Sequence, residues 1–193
     1  MPYPNLQLYL YIFHSNTTNY FQVINAFLNL LMLQESDKKM MYVIPSYVNV
    51  LWNSGQFNTC LYDKVHLALY TWIFLPVNIN GNHWVLLAAN VQSRSVCVLD
   101  SMAGENSAVI NNWKTFMEIR AAVVGELKEE WQEGTLTSAS QSDSSSCGPF
   151  VLLNALALVR GVNPKSLDTS AAHKMRSYVF TKLLNASTML NNM

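Results

Sequence analysis

Residues 83–101, HWVLLAANVQSRSVCVLDS, set the architecture of this 193-residue chain. Two apolar runs, Trp84–Ala89 and Ser95–Leu99, have the length and residue types of buried strands. The polar residues Gln92-Ser93-Arg94 between them predict a turn. The middle of the sequence therefore predicts a β-sheet, and the flanking segments are expected to supply further strands and the helices that cover it.

The segments before this sheet predict two helices and one more strand. Apolar residues recur at intervals of three and four from Tyr20 to Leu33, which is typical of an amphipathic helix. A shorter helix is predicted from near Ser46 to a stop before Asn53. Its predicted inward-facing residues are Tyr47, Val50 and Leu51. Trp72–Val77 predicts a strand, and Pro76 indicates an edge or an irregular end.

The segment after the sheet predicts a long helix over Ser107–Trp131 and a short strand over Thr135–Ser138. Several apolar residues of the helix share one face, namely Ile110, Trp113, Met117, Val124 and Leu127. The acidic residues near its end are interpreted as a solvated face, with a binding patch as the less favoured alternative.

The last part of the chain predicts two helices. The first is expected over Cys147–Val159, with Ser144-Ser145-Ser146 supplying hydroxyl caps. The second is capped by Asp168 or Ser170 and runs through Leu184. The order of all these elements predicts an α+β domain with a small mixed or antiparallel sheet flanked by helices.

Composition indicates one globular domain, expected over residues 1–193 with a core of about 20–184. Half of the residues are hydrophobic, which excludes a disordered chain. Twelve basic residues balance 12 acidic residues, so no net charge attracts nucleic acid or an anionic membrane. No stretch approaches the ~18 apolar residues of a membrane span.

The three cysteines indicate the redox environment. Cys60, Cys97 and Cys147 are widely spaced and form no CxxC pair. This pattern fits neither a disulfide framework nor a zinc cluster. Reduced thiols and an intracellular location, nucleus or cytoplasm, are therefore expected.

Cys147 is a candidate nucleophile because it is placed where a serine-rich loop becomes a helix. A helix N-terminus favours the thiolate over the thiol. Gly148 allows close approach of backbone and offers an N–H to a developing oxyanion. The alternative, a small apolar residue in a buried helix, has about equal weight from this position alone.

Three other polar residues could complete a site with that thiol. His83 stands where an Asn/Gly-rich turn enters a strand, and Asp100 ends the next predicted strand. If the two strands are neighbours, the imidazole and the carboxylate meet at the rim of the sheet. Gln141, six positions before Cys147, carries an amide able to donate to an oxyanion. Taken singly, each has an ordinary structural explanation.

Together these residues resemble the ubiquitin-like protease family, the cysteine peptidases of the SUMO/sentrin-specific type within the papain-like superfamily. The family's motifs are matched in order by His83-Trp84, Asp100-Ser101, Gln141 and Cys147-Gly148. Further similar segments lie at Val23-Ile24, Phe27-Leu28, Pro45-Ser46-Tyr47, Phe74–Asn78 and Met175-Arg176. The resemblance covers roughly Tyr20 to Leu184.

The resemblance implies roles for these residues. Cys147 would be the nucleophile, His83 the general base and acid, Asp100 the residue that orients the imidazole, and Gln141 the oxyanion donor. Trp84 would line the channel for the substrate tail, and Gly148 would lie beside the reacting carbonyl. No metal and no organic cofactor are implied. The implied partner is a ubiquitin-like modifier with its conjugates.

Two departures from the family pattern stand out. Ser146 occupies the position before the cysteine where the family usually has Asp, and the nearest acid is Asp143. The family's Trp-Leu-hydrophilic-Asp motif at the first helix is replaced by the residues from Thr18 to Phe21.

The resemblance implies hydrolysis of the peptide or isopeptide bond after a Gly-Gly-type tail. One alternative keeps the fold and the triad but carries out a different acyl transfer, as an acetyltransferase or a Gly-site endopeptidase. The other is an inactive module that only binds a modifier.

Overall fold

The computed structural model describes residues 20–57 and 62–191, so Cys60 lies outside the described residues. The α-helices in these ranges are α1 (Tyr20–Gln34), α2 (Tyr47–Asn53), α3 (Ser107–Val124), α4 (Cys147–Val159) and α5 (Thr169–Asn191). The strands are β1 (Met41–Val43), β2 (Trp72–Ile79), β3 (His83–Asn90), β4 (Ser95–Leu99) and β5 (Gln132–Glu133). Within the described ranges, no helix has both the length and the apolar character that a transmembrane segment needs.

The five strands form one mixed sheet in the order β1-β2-β3-β4-β5. The three central strands are antiparallel, whereas β1 and β5 run parallel to their neighbours. Strand β1 pairs with residues 72–74 of β2. Among the described residues, Pro76 therefore lies where β2 has a strand on one side only, which suits a residue without an N–H. The predicted α+β fold with a small mixed sheet is confirmed.

Helices cover both faces of the sheet, which explains why its central strands are almost continuously apolar. Side chains alternate between the two faces. The face that packs against α1, α4 and α5 includes Phe74, Trp84, Leu86, Ala88 and Leu99. The face that packs against α2 and α3 includes Ile73, Leu75, Val85, Leu87 and Ala89.

Helix α4 has the bounds that the sequence predicts and is apolar apart from Asn154, whose Nδ2 donates to Ser138 Oγ at 3.0 Å. It packs against β3, α1 and α5, and ten of its 13 residues are buried. A helix enclosed in this way has no need of a polar face. Of the two candidate caps for the last helix, Asp168 is the one used, because its Oδ1 accepts the Ala171 N–H at 2.7 Å. That helix, α5, continues past Leu184 to Asn191.

The predicted orientation of α2 is wrong. Its buried residues are Val48, Asn49 and Trp52. The residues predicted to face inward do not: Tyr47 and Val50 are 52% and 60% exposed, and Leu51 is half-buried. The rings of Trp52 and Phe116 of α3 lie 4.8 Å apart, so contact with a distant aromatic residue sets the rotation of this short helix.

Helix α3 ends at Val124 and not at Trp131 as predicted. Gly125 adopts a left-handed φ of 84°, and its N–H donates to the Ala121 carbonyl at 3.0 Å. This is a common way for a helix to end, because glycine enters the left-handed region without strain. Leu127 is nevertheless buried, so the apolar spacing continues beyond the helical backbone.

The acidic segment after α3 contains one residue that is not part of a solvated face. Glu126 Oε1 lies 2.7 Å from Nη2 of Arg120, which is fully buried. The same oxygen accepts the Leu67 N–H at 2.9 Å. A buried guanidinium needs a carboxylate as its partner. This need explains why Glu126 is turned toward the interior while the later acidic residues are not. The remaining acidic residues, Glu129, Glu130 and Glu133, are exposed as predicted.

The strand predicted over Thr135–Ser138 is also wrong, since pairing with β4 occurs earlier in the chain, at β5. The Gly134 N–H extends this pairing by donating to the Val96 carbonyl at 2.9 Å. Side chains over 135–138 alternate between exposed and half-buried, which accounts for the strand-like pattern.

Gly134→Ala is expected to lower the free energy of unfolding by about 1–3 kcal/mol, the usual cost of overpacking. A Cβ at this position would lie 2.5 Å from Cys97 Sγ, which is buried. Urea denaturation of this variant, of Cys97→Ala and of the double variant measures the effect. The double variant should lose less than the two single variants combined. An unchanged urea midpoint for Gly134→Ala would show that the space beside Cys97 Sγ accommodates a Cβ without loss of stability.

Candidate active site

His83 and Asp100 meet at one rim of the sheet. His83 is the first residue of β3, Asp100 directly follows β4, and these two strands are antiparallel neighbours. His83 Nε2 lies 2.7 Å from Asp100 Oδ1. Their side chains are only 17% and 4% exposed. This hydrogen bond is therefore largely shielded from water, where it would be weaker.

The Asp100 carboxylate is held by the loop that follows it. Its Oδ1 also accepts the Met102 N–H at 2.8 Å. Its Oδ2 accepts the Gly104 N–H at 2.9 Å and Nδ2–H of Asn106 at 3.0 Å. Burial alone would raise the pKa of Asp100, but hydrogen bonds from Asn106, Met102, His83 and Gly104 outweigh it and hold the pKa below its ordinary value. The carboxylate is thus ionised at neutral pH.

The second ring nitrogen of His83, Nδ1, takes no part in the contact with Asp100. An ionised carboxylate only accepts hydrogen bonds, so Nε2 carries the proton that Asp100 receives. In the neutral ring Nδ1 is then an acceptor. This atom is buried and has no hydrogen-bond partner within residues 20–57 and 62–191.

Cys147 is the first residue of α4 and is half-buried, packed against the cluster that contains Trp84. The predicted hydroxyl caps for this helix are wrong. In the part of the chain that the structure describes, no side chain caps α4, and Ser146 Oγ donates instead to Asp143 Oδ2 at 2.7 Å. The backbone N–H groups of Cys147 and Gly148 have no intrahelical partners, so they keep the capacity to bind a developing anion.

Gln141 lies in a loop, not at the end of a strand. Its backbone N–H donates to the Ser101 carbonyl at 2.9 Å, and its Oε1 accepts the Ser101 hydroxyl at 2.7 Å. Its Nε2 donates to the Asp143 carbonyl. Since Ser101 follows Asp100, these contacts bring the Gln141 loop to the rim where the imidazole and the carboxylate lie.

Trp84 and Gly148 are both buried. The ring of Phe21 covers Trp84 in an edge-to-face contact, with centroids 4.6 Å apart. Phe21 belongs to the segment that replaces the family's Trp-Leu-hydrophilic-Asp motif and is 39% exposed. An aromatic pair is therefore present beside the helix that carries Cys147.

Residues 22–188 match the family described as the Ulp1 protease family, C-terminal catalytic domain. The chain belongs to this family. The predicted family and the predicted class of enzyme, a cysteine peptidase, are thereby confirmed. Comparison with curated protein sequences gives no match.

Several solved structures share the fold of this chain. The C-terminal Ulp1 protease domain in complex with Smt3, the yeast ortholog of SUMO, is 18% identical with a TM-score of 0.73, over 86% of this chain and 76% of that one. The catalytic domain of the Chaetomium thermophilum Ulp1-like SUMO protease is 18% identical with a TM-score of 0.69, over 86% and 70%. The Xanthomonas campestris effector XopD, bound to ubiquitin, is 17% identical with a TM-score of 0.57, over 89% and 92%.

Sequence reasoning missed two residues of this candidate site. Asn106 holds Asp100 from six positions downstream, and its one local signal is its place before a helical segment, where Asn is a common cap. Phe21 fits the sequence pattern as one more apolar residue of α1. Its contact with Trp84 joins segments about 60 residues apart, and no local pattern indicates such a contact.

Proposed function

We propose that this domain is a thiol hydrolase that cleaves the peptide or isopeptide bond after the Gly-Gly-type tail of a ubiquitin-like modifier, in particular a SUMO-like one. The observation that carries the proposal is the shielded His83–Asp100 pair with His83 Nδ1 available, in a protease-family chain with Cys147 at a helix start. A surface that only binds a modifier has no use for an oriented imidazole.

In the first step His83 Nδ1 accepts the proton of the Cys147 thiol, and the sulfur attacks the carbonyl carbon of the last residue of the tail. The carbonyl electron pair moves to oxygen. Asp100 stays ionised throughout, holds the proton on Nε2 and stabilises the imidazolium that forms. The low pKa of Asp100 supports this role.

The oxyanion is stabilised by Nε2–H of Gln141 and by the N–H groups at the start of α4, including that of Gly148. As the carbonyl re-forms, the bond to nitrogen breaks and His83 gives its proton to the leaving amine. A thioester with Cys147 remains. Water, deprotonated by His83, attacks this thioester and releases the acid and the thiolate, which takes back the proton.

We expect the substrate tail to run along Trp84, whose ring is in contact with the ring of Phe21. Glycine residues suit this position, because a backbone without side chains can approach an aromatic surface closely. Relatives of the same fold support a modifier as partner, since one is in complex with Smt3 and another is bound to ubiquitin.

Residues 20–184 act in this proposal as one catalytic domain within the 193-residue chain. The rim of a single sheet carries His83 and Asp100, and the family match spans residues 22–188. The proposed location is the nucleus or the cytoplasm. The free thiols of Cys97 and Cys147 support it.

Vinyl-sulfone forms of SUMO-type modifiers and of ubiquitin test this function directly. At least one is expected to form a 1:1 adduct with the chain, seen by intact mass, at Cys147. Cys97→Ala is the matched control for the thiol and should be labelled like the wild type, because Cys97 is buried.

The same panel separates the alternatives. No labelling by any modifier contradicts the proposed hydrolase, and an adduct at Cys97 contradicts the choice of nucleophile. An acetylated Cys147 after incubation with acetyl-CoA, without modifier adducts, would support the acyl-transfer alternative instead.

A further inference from the structure

The loop that leads into Cys147 is fastened to the last helix. Thr169 Oγ1 accepts the Ser142 N–H at 3.0 Å. His173 Nε2 lies 2.8 Å from Asp143 Oδ2. Arg176 Nη2 donates to the Ser145 carbonyl at 2.6 Å. Three side chains of α5 therefore hold the segment that precedes the candidate nucleophile.

The Asp143 carboxylate is the centre of this loop. Its Oδ1 accepts the N–H groups of Ser145 and Ser146, each at 2.8 Å. Its Oδ2 accepts the Ser146 hydroxyl at 2.7 Å in addition to its contact with His173. The hydrogen bonds from the Ser146 hydroxyl and from His173 hold the pKa of Asp143 well below its usual range. The carboxylate therefore restrains the residue that directly precedes Cys147.

The backbone of Asp143 restrains a second member of the site. Its carbonyl accepts Nε2–H of Gln141, while Ser101 donates to Oε1 of the same amide. These two contacts fix which end of the amide is oxygen and which is nitrogen. Because an amide nitrogen carries two hydrogens, one N–H remains for an oxyanion.

We propose that Asp143 is a positioning residue: its carboxylate sets the geometry of the segment that enters Cys147, and its backbone carbonyl orients the Gln141 amide. The side-chain variants below test the role of the carboxylate. The inference rests on the proposed function, since it assigns Asp143 to the same reaction. In the family pattern an acid usually directly precedes the cysteine. Here Ser146 has that place, and its hydroxyl donates a hydrogen bond to the carboxylate of Asp143, three residues upstream.

The test compares Asp143→Ala with Asp143→Asn, using hydrolysis of a modifier with a fluorogenic C-terminal amide. Asp143→Ala is expected to lower kcat about 10–100-fold with KM within about twofold, because small displacements of reacting groups are costly. Asp143→Asn keeps an oxygen for the two backbone N–H groups and should stay within about threefold of the wild type. Rates are normalised to folded protein.

Asp168→Ala is the matched control, because it removes a carboxylate that caps α5 at Ala171. Among the hydrogen bonds of the described residues, none joins the Asp168 side chain to the Cys147 loop, so kcat should be unchanged. A kcat of Asp143→Ala within about threefold of the wild type, or a loss confined to KM, would overturn the proposal.

Hydrogen exchange at the Ser145 and Ser146 amides separates this inference from the proposed function. Their protection should fall about tenfold or more in Asp143→Ala and persist in Asp143→Asn, since these amides donate to the carboxylate. This result would show that the Asp143 carboxylate holds the loop before Cys147, even if no modifier probe labels the chain. Unchanged protection in Asp143→Ala would refute it.

Discussion

Cys147→Ala is expected to abolish hydrolysis, with kcat/KM falling by at least about 10⁴-fold. In the proposed mechanism the Cys147 thiolate forms the covalent intermediate, and alanine offers no nucleophile in its place. Cys147 is only half-buried, so the melting temperature should change by less than about 4 °C. Steady-state hydrolysis and a thermal melt on the same preparation give both numbers.

Cys97→Ala provides the comparison for this variant. It removes a buried thiol on β4 and should keep the wild-type kcat. Residual activity of Cys147→Ala above about 1% of the wild type would remove the cysteine from the mechanism.

Asp100→Asn is expected to lower kcat by about 10²–10⁴-fold while the fold persists. An amide can donate to His83 Nε2, which favours the tautomer with the proton on Nδ1, where the thiol needs an acceptor. Glu105→Gln, in the same loop but exposed, is the matched control and should retain full activity. Equal kcat values for the two variants would contradict the orienting role.

The same variant has an effect on stability whose sign follows from the pKa. Asp100 has a lower pKa in the folded chain than its ordinary value of 3.8, so its ionised form stabilises the fold. This contribution is present above about pH 4 and is lost as the pH falls through the lower, folded-state pKa. The stability difference between wild type and Asp100→Asn should therefore shrink on acidification, as urea denaturation at several pH values will show.

Local patterns in the sequence predict those elements that burial alone determines. Strands β3 and β4 and helix α4 are enclosed by other elements, so apolar runs define their bounds. The end of α3 at Gly125 escapes prediction because Leu127 continues the apolar spacing in a non-helical segment. The rotation of α2 follows from contact with a distant aromatic ring, which no local pattern encodes.

In the candidate site, too, some contacts can be predicted from local patterns and others cannot. His83 and Asp100 can be paired from the sequence because His83 begins one strand, Asp100 follows the next, and a short turn joins the two strands. The fastening of the Cys147 loop cannot, since Asp143 and His173 lie 30 positions apart and meet only through the packing of α5. The prediction of serine caps fails for a different, local reason: the carboxylate of Asp143, three residues upstream, accepts the Ser146 hydroxyl.

The attachment of the Cys147 loop to α5 bears on the order in which the parts of the candidate site form during synthesis. Translation delivers Cys147 before Thr169, His173 and Arg176, the residues that hold its loop. At roughly 5–20 residues per second, the thiol precedes its supports by about one to six seconds. A nascent chain thus exposes the Cys147 thiol before its loop is held, and in the proposed mechanism full activity requires that α5 has first left the ribosome.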